Sequence, residues 1–436
     1  MYGGKFFLKN EESKTVAAYT LGCKVNQYDS DAVVEKFIKD GYTLVDFSES
    51  ADVYLVNTCT VTHLSDRKCR QMLRRTKKIN PSSILIAMGC YAQIAKEKLQ
   101  EEVPEIDIIV GTDNRNSIID LIRLFKDNNI KNDITNIMDV EEYEELSIST
   151  TTSKTRAYLK IQEGCNNYCS YCIIPYVRGK IRSRKENNVL AEAIRLSKAN
   201  FKEIVLTGIH VASYGKDLVD TNLISIIKKI AKIDGIQRIR LSSIEPTIID
   251  DEFVDMLKTT PKICDHFHLS LQSGSDTVLK RMNRKYNTQT YLDSVKKLRS
   301  IMPNVGLTTD IIVGFPGETE EEFLSTLEFV DKIGFLDVHI FPYSKRDGTI
   351  AAKMDNQLDA HVKEVRAKKL KEVVNRNRNK FIKNMIGKEV EILFENNTQG
   401  FTSNYVRVDV ESGGLLNNLV KINKLTYNML EGSIVE

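Results

Sequence analysis

No window of this sequence approaches the ~20 consecutive apolar residues of a membrane-spanning helix, and its opening, MYGGKFFLKNEESK, has no apolar stretch long enough for a signal peptide. A cytoplasmic protein with no membrane partner is the expectation. There is also no surplus of charge of one sign: 62 Lys and Arg stand against 59 Asp and Glu, a net charge of +3. That balance neither demands nor excludes nucleic acid, so local basic patches must decide. Histidine is scarce, and none of the six falls in a convincing metal-ligand pair. His266 and His268 alternate along one strand and read as barrel-lining or core groups. In a reducing compartment, eight cysteines point to metal ligands rather than a disulfide framework.

A fourth cysteine is missing where three gather. EGCNNYCSYC places Cys165, Cys169 and Cys172 within ten residues, and neither a second Cys pair nor a His pair follows at zinc-finger spacing. Four thiolates close a zinc or iron–sulfur site, whereas three leave one metal position free for water, substrate or cofactor. The alternatives are a structural zinc completed by a distant residue, or thiols that only pack.

At 436 residues the chain suggests two or three domains. Over 14–125, TVAAYTLGC, ADVYLVNTC, SSILIAMGC and IDIIVGT read as strands, each followed by a helix-like stretch. This is the pattern of an α/β, doubly wound parallel sheet. The polar stretch 126–154 reads as a connection. From 155 to 375, six strand candidates from RAYLKIQ to FLDVHIFPYS suggest a partial (βα)6 barrel. Polar and glycine residues gather at their C-terminal ends, where barrel enzymes place their chemistry: Thr207, Gly208, Ser243, Glu245, Gln272 and Gly314. After a long basic helix beginning HVKEVRAKKLKEVV, Val406, Val408 and Val410 alternate with charged residues, so 376–436 reads as a small antiparallel β-barrel, a nucleic-acid module or a structural cap.

A second, dispersed trio comprises Cys23, Cys59 and Cys90, 36 and 31 positions apart, each ending a strand of the first domain. Neighbouring parallel strands lie about 5 Å apart, so the turns after them can bring three thiols to the sheet edge where open α/β sheets bind ligands. A buried strand-end cysteine can also be a simple small hydrophobe. Cys69 and Cys264 lack this context and read as structural.

The C-x-x-x-C-x-x-C trio after the first barrel strand resembles the signature of radical S-adenosylmethionine (SAM) enzymes, and EGCNNYCSYCIIPYVRGKIRSR resembles the methylthiotransferase family within them. TLGCKVNQYDSD, NTCTVT, GCYAQ, SLQSGSD, FPGET and FPYSKRDGTIAA carry the same likeness nearly end to end, and TGIHVASYGKDL is similar to the threonylcarbamoyladenosine tRNA branch. The resemblance implies two [4Fe-4S] clusters, on Cys165, Cys169 and Cys172 and on Cys23, Cys59 and Cys90, with the six rim residues as SAM contacts. One cluster would cleave SAM to a 5′-deoxyadenosyl radical and the other would supply a methylthio group. The product would be the 2-methylthio form of N6-threonylcarbamoyladenosine at tRNA position 37, with the last domain a TRAM-like RNA-binding barrel.

Implied partners are the tRNA anticodon loop, an electron donor of flavodoxin or ferredoxin type, and a sulfur donor. Two basic stretches suit tRNA: 67–78, and Arg178, Lys180, Arg182, Arg184 and Lys185 beside the radical motif. Alternatives within the family are isopentenyladenosine tRNA or a ribosomal-protein aspartate as substrate. Outside it stands a noncatalytic iron–sulfur RNA-binding or electron-transfer protein.

Overall fold

The computed structural model describes residues 14–128, 132–149, 155–411, 417–426 and 429–435. Its first unit contains β1 (Thr15–Thr20), β2 (Thr43–Leu44), β3 (Val53–Thr58), β4 (Ile84–Gly89), β5 (Ile108–Val110) and β6 (Asn132–Asp133), arranged β2-β1-β3-β4-β5-β6 with every pair parallel. Helices cover both faces. Tyr54, Val56, Leu85 and Ala87 enter one core, while Val53, Leu55, Ile86 and Met88 enter the other, which is why these strands read as unbroken apolar runs. The segment 126–154 contributes β6 to this sheet, and its Leu146 and Ile148 are buried in the core of the second unit.

The second unit contains β7 (Arg156–Glu163), β8 (Arg182–Ser183), β9 (Glu203–Gly208), β10 (Arg238–Leu241), β11 (His266–His268), β12 (Gly306–Val313) and β13 (Asp337–Pro342). β7 and β9 to β13 follow one another in parallel as a partial (βα)6 barrel, with β10 and β11 joined by bridges from Ile239 to Ile263 and from Ile244 to Leu269. β8 is a short antiparallel strip on the outer edge of β7. Alternation sorts the faces. Ala157, Leu159, Ile161, Ile204, Leu206, Ile239, Phe267, Leu307 and Ile311 pack under the helices, which turns Lys160, Thr207, Arg240, His266, His268, Thr308 and Asp310 toward the lumen. The first unit's helix Lys24–Lys39 docks on this inner face, where Lys160 Nζ donates to Asp29 Oδ1 at 2.7 Å.

β14 (Glu389–Phe394), β15 (Gln399–Thr402), β16 (Arg407–Val410), β17 (Asn417–Thr426) and β18 (Met429–Ile434) close a third unit in the order β14-β15-β16-β18-β17. Val406, Val408 and Val410 all point into it. Its β15–β16 turn covers the N-terminal ends of the central strands. Arg238 donates to Phe401 O at 2.9 Å and Arg240 to Ser403 O at 3.0 Å, and the Tyr405 ring lies 4.9 Å from that of His266. The central barrel is therefore floored at the end opposite its cysteine loop. The long helix Ala360–Lys383 turns Leu370 and Val374 into the central core and leaves its basic face to solvent. Among the described residues no helix is long and apolar enough to cross a membrane.

Candidate active site

Cys23 precedes helix Lys24–Lys39, Cys59 follows β3, and Cys90 opens helix Cys90–Ile94 directly after β4. Since β1, β3 and β4 are adjacent, the three cysteines share one sheet edge. Asn26 ties it together: its Nδ2 donates to Leu21 O at 2.8 Å and Thr58 O at 3.0 Å, and its Oδ1 lies 3.9 Å from Cys90 Sγ. Two glycines make the approach possible. A Cβ at Gly89 (φ +99°) would lie 2.3 Å from Asn57 Oδ1, and one at Gly22 (φ +106°) would lie 3.0 Å from Cys59 Sγ; both need a conformation that only glycine adopts freely. Cys69 supports from below, its thiol accepting from Cys59 N at 3.3 Å.

The contiguous trio lies on the loop from β7 to helix Ile174–Arg178. Gly164 (φ +72°) starts the loop, and a Cβ there would come within 1.8 Å of Lys180 O. Cys165 N donates to Gly179 O at 3.0 Å, Ser170 N to Met282 O at 3.0 Å, and Ala351 N to Ser170 O at 2.8 Å, so the loop is held from three directions. Arg284 donates to Cys169 Sγ at 3.1 Å and to Glu245 at 2.8 Å, and Asn167 of the cysteine loop donates to the same carboxylate at 2.9 Å.

Burial pushes the thiols of Cys59 and Cys172 up to about 12 and that of Cys165 to about 11, and it raises Cys90 as well. Such thiols lose their protons to a metal rather than to water. The backbone N–H groups of Val61, Asn167 and Ile174 act against that burial and favour the thiolates of Cys59, Cys165 and Cys172, as donors to cluster sulfurs do. Among the described residues the one ligand set with all atoms within 4.8 Å, the compactness of a single ion's shell, is His268, Asp310 and His339, and it contains no cysteine. Each trio therefore fits a multi-iron cluster, whose ligands sit on separate corners, better than one zinc ion.

Between the trios lies a buried ionic lattice. Arg178, 0% exposed, donates to Cys90 Sγ at 3.2 Å and to Asp29 and Glu163 at 3.0 Å each. Lys160 and Arg115 bind the same two carboxylates, and Arg115 also takes Glu144 at 2.7 Å. Cys90 packs on Ile173 and Val177, just past Cys172, so the two trios face one another. Opposite, Arg346 of FPYSKRDGT donates to Asp66 at 2.7 Å and pins the segment after Cys59 to the central barrel.

This geometry corrects one expectation. Arg178, Arg182 and Arg184 are buried, and Arg184 is paired with Glu192 and Glu145 at 2.8 Å each, so these three cannot meet a phosphate, while Lys180 and Lys185 of the same stretch are exposed; the sequence shows the charges but not their partners. In the stretch 67–78, by contrast, Arg67, Lys68, Arg74, Arg75 and Lys78 are exposed.

Of the six rim residues, Glu245 reaches the cysteine loop directly, through Asn167, and also meets His210 Nε2 at 3.3 Å. Thr207 is buried on the lumen face, and Gly208 lies against Gln162, with room for no Cβ. Gln272 takes φ +73° to exchange backbone bonds with Asp310 and Ile312, and Gly314 N donates to Glu318 at 2.7 Å. Ser243 is exposed and stands apart from these contacts. Sequence reasoning missed Asn26 and Arg284; Asn26 lies within GCKVNQ, but nothing local marks Arg284. It also missed the triad in which Asp310 lies 3.2 Å from both His268 Nε2 and His339 Nδ1, because the three residues come from three different strands.

Residues 159–330 match the radical SAM superfamily, and 15–111 match the uncharacterized protein family UPF0004. The chain is 42% identical to the threonylcarbamoyladenosine tRNA methylthiotransferase MtaB of Bacillus subtilis, covering 97% of this chain and 96% of that one. It is 41% identical to a tRNA-2-methylthio-N(6)-dimethylallyladenosine synthase of Clostridium novyi, over 89% and 87%. In fold it is similar to TsrM, a radical SAM methyltransferase of Kitasatospora setae solved with cobalamin and a [4Fe-4S] cluster, with a TM-score of 0.58 at 13% identity over 78% of this chain and 77% of that one. Two open thiol sets on this fold, together with relatives matched along nearly their whole length, establish that the chain belongs to the radical SAM methylthiotransferase family.

Proposed function

We propose that this enzyme transfers a methylthio group to C2 of N6-threonylcarbamoyladenosine at position 37 of tRNA. The observation that carries the reading is the pair of three-thiol sets facing each other across one lattice. One open cluster suffices for radical generation, and a second matches delivery of sulfur. Relatives at 42% and 38% identity, matched over 93% or more of both this chain and their own, are named for that nucleoside. Residues 14–125 form the first cluster domain, 155–375 the radical core and 376–436 the RNA-binding barrel, with 126–154 joining the first two.

The family works with SAM and [4Fe-4S] clusters. Cys165, Cys169 and Cys172 would hold one cluster and Cys23, Cys59 and Cys90 the other; when bound, these groups supply the one-electron chemistry and the sulfur. The chain's own residues do the rest. Arg284 and Glu245 fix the cysteine loop at the rim, where Thr207, Gly208, Gln272 and Gly314 would receive SAM. The floor built from Ser403 and Tyr405 covers the far end of the lumen, and a loop adenosine can splay in from the open end without unpairing a duplex. An electron donor and a sulfur donor complete the turnover.

Nucleoside mass spectrometry of tRNA from cells with and without the chain tests this. Methylthiolated threonylcarbamoyladenosine should appear only with it. Methylthiolation of dimethylallyladenosine instead would move the enzyme to the other branch, and no change in either nucleoside would refute the proposal.

A further inference from the structure

The lumen holds a cation that has no direct hydrogen-bond or ion-pair partner among the described residues. Lys24 directly follows Cys23, and its ammonium lies within the field of Arg156, Arg240, Glu203, His266 and His339, which places it inside the barrel rather than on the outer surface. Among the described residues it makes no hydrogen bond or ion pair.

The carboxylates in reach are already committed. Glu203 is taken by Arg240 at 2.8 Å and by Arg156 at 2.7 Å, and Asp310 lies between the imidazoles of His268 and His339 at 3.2 Å each. Close by, His266 is 5% exposed; its Nε2 is bonded to Thr308 at 3.1 Å, yet its Nδ1 has no partner among the described residues. Tyr405 and Ser403 close the floor beneath, so whatever satisfies these groups enters from the rim. A desolvated cation beside an orphaned polar atom costs stability unless a ligand completes both.

We infer that Lys24, with His266 beside it, binds the threonyl end of the substrate's side chain, the ammonium pairing with its carboxylate and the imidazole with its hydroxyl. This rests on the proposed substrate and gives it a physical basis. A dimethylallyl group offers neither charge nor hydroxyl, so the same pocket would leave the cation unpaired and reject it, as sites built for a polar group reject analogues that lack it. Lys24 is a specificity residue here, since it touches the modification and not the reacting carbon.

The experiment measures binding of anaerobically reconstituted, full-length protein to three anticodon stem-loop RNAs. One carries threonylcarbamoyladenosine, one the same group with its carboxylate converted to the amide, and one dimethylallyladenosine. Wild type should bind the first at least about tenfold tighter than the other two, the scale of one charged hydrogen bond. Lys24→Met should bind all three alike, Lys24→Arg should restore the preference, and both should keep wild-type iron content and SAM affinity.

Equal binding of acid and amide by wild type overturns the inference without any change to the protein. Undiminished preference in Lys24→Met overturns it as well. Loss of SAM affinity in that variant assigns the ammonium to the cofactor's carboxylate, and a wild-type preference for the dimethylallyl RNA overturns the substrate reading beneath it.

Discussion

The two cysteine trios present the same donors by opposite means. Cys165, Cys169 and Cys172 lie on one loop, and the rest of the barrel holds that loop from outside through Met282, Arg284 and Ala351. Cys23, Cys59 and Cys90 sit on three strand ends, so the sheet itself is the scaffold and Asn26 and Gly89 set the spacing. A loop trio is specified by its own sequence and then braced. A strand-end trio exists only once the parallel register has formed, which ties its integrity to the fold of the whole first unit.

The largest expected effect separates the two by job. Cys169→Ala should abolish reductive cleavage of SAM, while Cys59→Ala should leave cleavage but yield no methylthiolated nucleoside. Each should retain about four of the roughly eight irons that two cubane clusters carry. Equal loss of cleavage in two folded variants, each keeping its other cluster, would end this division of labour.

The second test breaks the lattice that joins them. Arg178→Met leaves Asp29 and Glu163 short of a buried cation, a change worth about 3–5 kcal/mol, and it removes the donor to Cys90 Sγ. Arg284→Met should cost less, because Glu245 keeps Asn167 and His210. Denaturant unfolding of both gives the order, and the reverse order would show that the lattice is not what couples the trios.

Acid sharpens the same point. Burial works against ionisation of Asp29, yet Arg115, Lys160 and Arg178 hold its carboxyl below the usual range. A depressed native value means its stabilisation is complete above about pH 4 and drains away as pH falls toward that value. With one cation fewer, Asp29 is held less far below its ordinary value, so Arg178→Met should lose less stability than wild type as pH falls from about 4, as denaturant unfolding at several pH values would show.

What was legible in the sequence follows from what is local. The contiguous trio announced itself by spacing, and the dispersed one by its place at three strand ends, because parallel strands in sequence order bring their C-terminal ends together. The alternation of Val406, Val408 and Val410 gave the last barrel for the same reason. Arg178, Arg284 and Lys24 were illegible in these roles, since the partner of a charge, or its lack of one, depends on chains that meet only in the folded state. The β15–β16 turn as the floor of the central barrel was hidden too, because its contacts reach back to Arg238, Arg240 and His266, more than a hundred residues earlier.

The smallest effect concerns the basic stretch beside each trio, where the sequence reads alike and the structure does not. Helix His63–Ile79, after Cys59, leaves Arg67, Arg75 and Lys78 exposed and without an ion-pair partner among the described residues, whereas the arginines after Cys172 are buried, Arg178 in the lattice and Arg184 against Glu192 and Glu145. Charges free to meet phosphates release counterions on binding, so affinity falls with salt and each lost contact flattens the slope by about 0.7–0.9. Replacing Arg67, Arg75 and Lys78 with Ala should therefore weaken tRNA binding severalfold and lower the salt slope by up to about 2–3, with iron content and melting temperature unchanged. Titrations at several salt concentrations read both quantities. An unchanged slope would mean that this face meets solvent alone, leaving the RNA contacts to the last barrel and to the rim.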